Sequence, residues 1–336
     1  MTNPISQNRV VISGVGSRVP EKILTNDELA GMVDTSDEWI KTRTGISERR
    51  IAGSHETTSD MAAGAALAAL ENGKTDASEI DLLIVATISP DTAMPATACY
   101  VQEKAGLKNA MCFDMAAACS GFVYALDIAY QYILTGAAKK VMVVGADKMS
   151  ALINWQDRTT CVLFGDGAGA VILEQGKGKS LGIMASSMKS DGSQASILHI
   201  EAGGAAMPLT PENITEGKQY ITMEGSVVFK SAVRSMSEIA EEALAKAGLS
   251  SSEIAWLVPH QANKRILTAV AEKLGISMER VVINLEKYGN TTAGSIPLAL
   301  DQAVNDGRIK DGDYILFVAF GAGATWGATV LQWGRE

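Results

Sequence analysis

The sequence predicts an α/β fold in which a β-α-β unit occurs twice. Short apolar stretches typical of buried strands alternate with longer stretches of helical periodicity. Similar segments also recur 174 positions apart, which indicates an internal duplication. Strands that alternate with helices form parallel sheets covered by helices on both faces. We therefore expect two related halves, residues 1–180 and residues 181–336.

The repeat rests on three ungapped matches, each between segments predicted to form the same element. One offset shared at three places is improbable by chance, so the matches imply a duplicated unit. The matched pairs are 78–80 with 252–254, 125–127 with 299–301, and Val144 with Val318.

Each predicted element has a local signal in the sequence. Residues 9–16 are apolar and predict the first buried strand. Gly14 and Gly16 in this strand do not begin a dinucleotide-binding loop, because Val19 occupies the position of the third glycine. The later signals are helix-start residues at 25–28 and 35–38, an alanine-rich helix at 60–72, strands at 81–87, 140–146 and 171–173, and a helix after Cys119.

The composition argues against membrane and nucleic-acid partners. Hydrophobic residues make up 47% of the chain, but no apolar run has membrane-spanning length, and we expect no secretory signal at the N-terminus. A net charge of −9 argues against nucleic-acid binding and still leaves room for a local basic patch. The four cysteines have the spacing of neither a zinc site nor a disulfide framework, so we expect a reducing cytoplasm and no metal.

Cys119 is the candidate nucleophile. It follows a turn of small residues and precedes a helix in which Phe122, Val123 and Leu126 recur at helical spacing. Unpaired N–H groups and the helix dipole favour a thiolate at such a position, so we expect a thiol that is nucleophilic near neutral pH. The alternative is a buried, inert cysteine, as most free cysteines are.

His260 and Asn290 are candidate partners of Cys119 from the second half. Under the repeat offset, His260 lies at the end of the strand equivalent to 81–87, and Cys119 aligns with Ala293, just after Asn290. Ligands of parallel sheets bind beyond the carboxyl ends of the strands, so we expect the three side chains at one site. In isolation each partner also has a structural interpretation, as a hydrogen-bonded core histidine and a capping asparagine.

Two further segments are candidates for ligand binding. Trp39 and Arg43 lie in an aromatic and basic segment that is either the solvated end of a helix or a surface for a planar or anionic ligand. The residues alone leave both interpretations open. The glycine-rich stretch 320–327 follows the last buried strand, where its backbone N–H groups could face an oxyanion.

Six motifs in order resemble those of β-ketoacyl-acyl carrier protein synthase III, a family of condensing enzymes in the thiolase-like superfamily. The resemblance runs from about residue 9 to residue 334. It implies the duplicated five-layer αβαβα fold of that superfamily, in agreement with the repeat. The motifs are Trp-Ile-x-x-Arg-Thr-Gly-Ile at 39–46, Ala-Cys-Ser-Gly-Phe at 118–122, Phe-Gly-Asp-Gly-Ala-Gly-Ala at 164–170, His-Gln-Ala-Asn at 260–263, Gly-Asn-Thr-Thr-Ala at 289–293 and Phe-Gly-x-Gly-x-Thr-Trp-Gly at 320–327.

The resemblance implies a decarboxylating condensation of an acyl-CoA primer with malonyl-acyl carrier protein, which starts a fatty-acid chain. Cys119 would take the acyl group from coenzyme A, and the backbone N–H groups of Cys119 and Ala322 would form the oxyanion hole. His260 and Asn290 would donate hydrogen bonds to the malonyl thioester carbonyl and stabilise the enolate formed as carbon dioxide leaves. No metal or redox cofactor is implied.

The same resemblance assigns residues that bind coenzyme A and the carrier protein. Trp39 and Arg158 would hold the adenine between them, and Arg43 would meet the phosphates. Gly225 and Asn263 would line the pantetheine tunnel. A local basic patch would attract the acidic carrier protein. The carrier-protein contacts would be Lys230, Gln261, Lys264 and Arg265.

Two positions depart from the usual residues of the family, and one of them concerns a homodimer. Family members often have glycine at the position of Ala322, but alanine still supplies the backbone N–H group. They often have an aromatic residue at the position of Met94, which would reach across the dimer to the end of the acyl pocket. Because methionine is more adaptable than phenylalanine, we expect primers longer than acetyl to fit.

The sequence leaves two other functions open and disfavours a third. A condensing enzyme of secondary metabolism would use the same three residues with a different acceptor. A Cys-His-Asn hydrolase would show burst kinetics and hydrolysis without forming a carbon–carbon bond. A catalytically silent scaffold is disfavoured, because Cys119, His260 and Asn290 are all present.

Overall fold

A computed structural model of the protein describes residues 9–178 and 181–334. Its strands are β1 (Val10–Arg18), β2 (Ile23–Thr25), β3 (Glu48–Arg50), β4 (Leu82–Ala86), β5 (Met111–Met115), β6 (Lys140–Asp147), β7 (Gly167–Gln175), β8 (Gly182–Ser190), β9 (Leu198–Ile200), β10 (Ile221–Met223), β11 (Trp256–Pro259), β12 (Tyr314–Gly321) and β13 (Thr325–Gln332). Its α-helices are α1 (Asn26–Ala30), α2 (Asp37–Thr44), α3 (Thr58–Gly73), α4 (Thr97–Lys104), α5 (Gly121–Leu134), α6 (Pro211–Thr215), α7 (Gly225–Ala247), α8 (Lys264–Leu274), α9 (Leu285–Tyr288) and α10 (Ser295–Asn305).

The elements form where the local signals predict them. Thr25 caps α1 through a capping box with Glu28, and Ser36 caps α2. The alanine-rich segment is helix α3, and the strands predicted near positions 9, 81, 140 and 171 are β1, β4, β6 and β7. No helix in the described part of the chain is long and apolar enough to cross a membrane.

Two main sheets form the framework, with strand orders β1-β7-β6-β4-β5 and β11-β12-β13-β8. The prediction of parallel sheets is only partly right. Strands β5, β4 and β6 are parallel, as are β11 and β12, whereas β7 runs antiparallel to β6 and β1, and β13 runs antiparallel to β12 and β8. The reason is that loops, and not crossover helices, lead from β6 to β7 and from β12 to β13.

The two sheets enclose a helical layer made of α5 and α10. Phe122 and Leu126 of α5 pack in one cluster with Ile296 and Leu300 of α10 and with strands of both sheets. Helices α3 and α4 cover the outer face of the first sheet, and α7 and α8 cover the outer face of the second. This confirms the predicted five-layer αβαβα arrangement.

Strand β4 shows how one apolar run serves two layers. Its residues are all buried, but Leu82, Ile84 and Ala86 pack toward the central helices, whereas Leu83 and Val85 pack toward α3. Successive side chains of a strand point to opposite faces of the sheet. Burial on both faces therefore explains why the predicted strands are continuously apolar and not alternating.

The structure confirms the duplication. The strand order β1-β7-β6-β4 of the first sheet recurs as β8-β13-β12-β11 in the second. Where β5 would recur, the described residues form one isolated parallel bridge between Leu257 and Val281. The boundary between residues 180 and 181 stays a prediction, because residues 179–180 lie outside the described part. Elements that begin 174 positions apart start at Leu82 and Trp256, at Gly121 and Ser295, and at Lys140 and Tyr314.

Candidate active site

One cavity is lined by Cys119, His260 and Asn290, the three side chains that the sequence predicts at one site. Cys119 directly precedes α5, His260 follows β11, and Asn290 precedes α10. The duplicated topology brings these positions together from both halves, at the carboxyl ends of parallel strands. Their proximity is therefore a consequence of the fold.

Cys119 lies in a 3-10 turn that leads into α5, so its placement at a helix N-terminus is confirmed. Ala118, directly before it, has a left-handed backbone with φ of 47°. The expectation of an easily ionised thiol is wrong for this structure. Burial, and then the nearby Asp147 carboxylate, raise the pKa of Cys119 to about 12, against smaller opposing effects of its own backbone and Asn290. Desolvation outweighs the hydrogen bonds that favour the thiolate.

His260 is almost completely buried, and this burial lowers the pKa of its imidazole to about 3, although a hydrogen bond with the backbone of Thr292 opposes the shift. The imidazole is therefore neutral. Its Nδ1 lies 2.7 Å from Ser295 Oγ, and that oxygen accepts a hydrogen bond from the Gln261 N–H at 3.2 Å. When the Ser295 hydroxyl donates to Nδ1, the single ring proton of the neutral imidazole is on the other nitrogen, Nε2, which is then the donor.

Asn290 is held at both its backbone and its side chain. Its N–H donates to Leu163 O at 2.8 Å, and its carbonyl accepts from the Gly165 N–H at 3.0 Å. Its Oδ1 accepts from the Thr292 N–H at 2.9 Å, and its side chain also hydrogen-bonds Cys119. Since Oδ1 is engaged by a backbone donor, the Nδ2 amide is the group available for donation into the cavity.

The end of β12 packs directly against the Cys119 turn. A Cβ atom on Gly321 would lie 2.8 Å from Cys119 N and 2.9 Å from Ser120 N, so only glycine fits there. The Thr325 hydroxyl lies 3.1 Å from the carbonyl oxygens of both Ala117 and Ala322, and 2.6 Å from Ser120 Oγ. Thr325, to which the sequence analysis gave no role, therefore ties the predicted oxyanion-hole segment to the nucleophile turn.

A second cavity, which also reaches Cys119 and Ala322, has mainly apolar walls. Met94 does not line this cavity within the described chain and is 86% exposed. The wall residues are Ile88, Met149, Phe164, Leu198, Ile200 and Ile221, with Ala118, His199 and Thr292 completing the lining.

Two of the predicted coenzyme A residues line the first cavity, and the other three form one cluster around the Trp39 ring. Gly225 and Asn263 line that cavity. The guanidinium groups of Arg43 and Arg158 lie 5.6 Å and 5.2 Å from the Trp39 ring centroid, as cation–π contacts. This spacing leaves no room for a planar base between Trp39 and Arg158, so a bound adenine has to displace one of the two side chains.

Three of the four predicted carrier-protein contacts are exposed, and the fourth is not. Lys230, Lys264 and Arg265 are exposed, with the Arg265 guanidinium 5.6 Å from the Phe229 ring centroid. The assignment of Gln261 is wrong, because it is fully buried. Its side chain bonds the backbones at positions 259, 282 and 284 and thus braces the loop that carries His260.

Asp147 was missed by the sequence analysis, although a polar residue at the carboxyl end of a predicted parallel strand is a usable signal. It ends β6 and is fully buried close to Cys119. In residues 9–178 and 181–334, no group of three or more His, Cys, Asp or Glu side chains could hold a metal ion.

Family models match both halves of the site. The model described as 3-oxoacyl-[acyl-carrier-protein (ACP)] synthase III matches residues 113–192, which include Cys119. The model described as its C terminal matches residues 244–333, which include His260 and Asn290.

Whole-chain relatives are similar over nearly the full length. The β-ketoacyl-[acyl-carrier-protein] synthase III of Roseiflexus sp. (strain RS-1) is 49% identical over 97% of this chain and 99% of its own. The crystal structure of 3-oxoacyl-[acyl-carrier-protein] synthase III from Aquifex aeolicus VF5 has a TM-score of 0.89 and 48% identity over 97% of this chain and 100% of that one. The priming β-ketosynthase from the R1128 polyketide biosynthetic pathway has a TM-score of 0.90 and 33% identity over 100% and 99% of the two chains.

Proposed function

Because the chain belongs to the 3-oxoacyl-[acyl-carrier-protein] synthase III family, we propose that it condenses an acyl-CoA primer with malonyl-acyl carrier protein. The products are 3-oxoacyl-acyl carrier protein, carbon dioxide and coenzyme A, and the reaction starts fatty-acid chains. The roles of Cys119, His260 and Asn290 are supported by the observation that all three line the same cavity. This enzyme is an acyltransferase that acts in two half-reactions.

In the first half-reaction, the Cys119 sulfur attacks the thioester carbonyl of the acyl-CoA. The backbone N–H groups of Cys119 and Ala322 stabilise the tetrahedral oxyanion. The proton of the thiol leaves Cys119 and finally protonates the departing coenzyme A thiolate, so the exchange is balanced. Because burial raises the pKa of the thiol, the resting residue is protonated, and this proton has to leave during the half-reaction.

In the second half-reaction, malonyl-acyl carrier protein enters the same cavity. Its thioester carbonyl accepts hydrogen bonds from neutral His260 and from Asn290, which stabilise the enolate as the carboxylate departs as carbon dioxide. The enolate carbon attacks the acyl-Cys119 carbonyl, and the released thiolate takes up a proton. A neutral imidazole suits this role, since its one N–H group can donate a hydrogen bond to the enolate oxygen.

Binding of the two substrates is assigned to two neighbouring surfaces. Trp39, Arg43 and Arg158 bind the adenine and phosphates of coenzyme A, and Gly225 and Asn263 line the way to Cys119. Exposed cations beside the same entrance attract the acidic carrier protein, and their effect weakens with salt. These cations are Lys230, Lys264 and Arg265.

The apolar second cavity receives the acyl chain of the primer, since it reaches Cys119 and has mainly apolar walls. We propose that the enzyme is a cytoplasmic homodimer in which the exposed Met94 of each subunit closes the acyl cavity of the other. Assays with primers from acetyl-CoA to octanoyl-CoA test whether the acyl cavity accepts longer chains. Activity with acetyl-CoA alone would refute the expected tolerance of longer chains.

The test of the function uses purified protein, acetyl-CoA and then malonyl-acyl carrier protein, with mass spectrometry of both proteins. We expect an acetyl adduct on Cys119, followed by acetoacetyl-acyl carrier protein and carbon dioxide, and no adduct with Cys119→Ser. An adduct that only hydrolyses would favour a thioesterase. No adduct with acetyl-CoA, but one with longer acyl-CoAs, would favour the second candidate, a priming condensation like that of the R1128 ketosynthase.

A further inference from the structure

Asp147 accepts hydrogen bonds from two separate parts of the chain. Its Oδ1 accepts from the N–H groups of Ile88 and Ser89, at 2.8 Å and 3.1 Å, and from the hydroxyls of Thr87 and Ser89, at 2.9 Å and 2.8 Å. Its Oδ2 is bonded by the Thr292 hydroxyl. A fully buried carboxylate with this set of donors is strongly fixed in place.

Thr292 is the point at which this network reaches the catalytic side chains. Its N–H donates to Asn290 Oδ1 at 2.9 Å, and its backbone is also hydrogen-bonded with His260. Its φ of 48° is in the left-handed region, where a β-branched residue is strained. Such a conformation persists only where the surroundings hold it, and the side-chain bond to Asp147 is a buried polar contact that helps to do so.

We propose that Asp147 is a positioning residue for the decarboxylating half-reaction, and that it acts through the Thr292 hydroxyl to hold the backbone that orients His260 and Asn290. This inference rests on the function proposed above, in which those two residues stabilise the enolate. Asp147 itself lines neither of the two cavities that reach Cys119.

The Cys119 half of the site is held by other contacts. The nucleophile turn is fixed by Thr325, whose hydroxyl contacts Ala117 and Ser120, and by the close packing of Gly321. Loss of the Asp147–Thr292 bond should therefore slow decarboxylation much more than acylation. A general loss of folded protein would slow both half-reactions by one factor.

The experiment compares Thr292→Val, which keeps the shape of the side chain and removes the hydroxyl, with Thr292→Ser, which keeps the hydroxyl. Acetylation of Cys119 is followed by mass spectrometry in single turnovers, and carbon dioxide release from malonyl-acyl carrier protein is measured separately. Because Thr292 also lines the cavity assigned to the acyl chain, acetylation of Thr292→Val can fall too, so the test is the ratio of the two losses. We expect decarboxylation to fall about tenfold or more, and by a factor at least about three times larger than acetylation. Thr292→Ser should decarboxylate about fivefold or more faster than Thr292→Val.

Asp147→Asn tests the other end of the bond, since its amide cannot accept from all the present donors, and slower decarboxylation is expected. The substitution also removes the charge that raises the pKa of Cys119, so acetylation should not slow with it. Its matched control is Asp166→Asn, which alters another buried carboxylate, directly before β7, that accepts from the Ala52 N–H and from the N–H and hydroxyl of Ser150. The control should slow both half-reactions by one factor. If Asp147→Asn does not fold, the comparison of Thr292→Val with Thr292→Ser tests the inference without it.

Equal losses of acetylation and decarboxylation in Thr292→Val, or equal rates in Thr292→Val and Thr292→Ser, would overturn the inference. His260→Ala and Asn290→Ala, assayed beside them, separate it from the proposed function. If these two variants still decarboxylate at the wild-type rate, the proposed roles of His260 and Asn290 fail. If they lose decarboxylation while Asp147→Asn and Thr292→Val keep it, only the positioning role fails.

Discussion

Ala118 and Thr292 adopt the same left-handed backbone conformation, with φ of 47° and 48°, at positions separated by the 174-residue repeat. Each begins a 3-10 turn that leads into a central helix, α5 after Ala118 and α10 after Thr292. In the first half this turn presents Cys119, whereas in the second it supports Asn290. One local conformation of the duplicated unit thus serves two different chemical roles.

Substitution of Ala118 tests how much this left-handed conformation costs in stability. Valine is β-branched and disfavours φ of 47°, so Ala118→Val should lower the free energy of unfolding by about 1–3 kcal/mol. Ala118→Gly removes the Cβ atom that makes this conformation unfavourable and should unfold at or near the wild-type urea concentration. Equal urea midpoints for the valine and glycine variants would show that the left-handed turn carries no strain.

The pH dependence of Cys119 reactivity should report its buried, protonated state. Because its pKa is raised to about 12, the thiolate fraction grows with each pH unit through the whole accessible range. We expect alkylation by iodoacetamide to accelerate about tenfold per pH unit between about pH 7 and pH 9. Cys119→Ala, treated in parallel, gives the alkylation at the three other cysteines. A rate that levels off near neutral pH would mean that the thiolate forms before substrate binds.

His260 should make the protein less stable as the pH falls below 6.5. Its folded pKa of about 3 lies below the ordinary value of 6.5, so between these two values the unfolded chain binds more protons than the folded one. The stability contributed by neutral His260 is therefore complete above pH 6.5 and is lost progressively toward pH 3. The slope should approach about 1.4 kcal/mol per pH unit, measured by urea unfolding at several pH values.

Two histidine variants separate this effect from general acid unfolding. His260→Gln should flatten the pH dependence of the unfolding free energy between about pH 4 and pH 6. His199→Gln is the same exchange at an exposed position and serves as the comparison. Identical slopes for wild type and His260→Gln would mean that the imidazole is protonated within the folded protein.

The catalytic residues could be predicted because topology fixes their positions. Cys119, His260 and Asn290 each adjoin the end of a buried strand or the start of a central helix, and the repeat relates the two halves in sequence. The alternation of apolar segments likewise predicted the strands, since burial on both faces leaves a continuous apolar run. Asp147 was missed because its donors at positions 87–89 and 292 are remote in the chain and meet only in the fold.

The wrong predictions concern how deeply a side chain is buried and in which direction a strand runs. Local sequence encodes neither. The thiol pKa of Cys119 depends on how completely the second half covers the helix N-terminus. Gln261 lies three residues before the exposed Lys264, yet its side chain is buried and donates to the backbone carbonyls of Pro259 and Val282. Strand β7 runs antiparallel because the loop before it reverses the chain, and no residue pattern within the strand itself specifies that direction.

Gly145 is where strand β6 meets the turn of the second half, and it should tolerate no side chain. A Cβ atom there would lie 2.1 Å from Ala293 O and 3.1 Å from Gly294 N, which are backbone atoms of the turn that includes Thr292. Gly145→Ala should lower the free energy of unfolding by about 3 kcal/mol and slow decarboxylation, because relief of the clash moves that turn. Urea unfolding and carbon dioxide release measure the two effects.

Gly53→Ala, where the new Cβ meets nothing within 4 Å, is the matched control and should change neither quantity. If both alanine variants unfold at the same urea concentration, the contact between β6 and the turn must be loose enough to admit a methyl group.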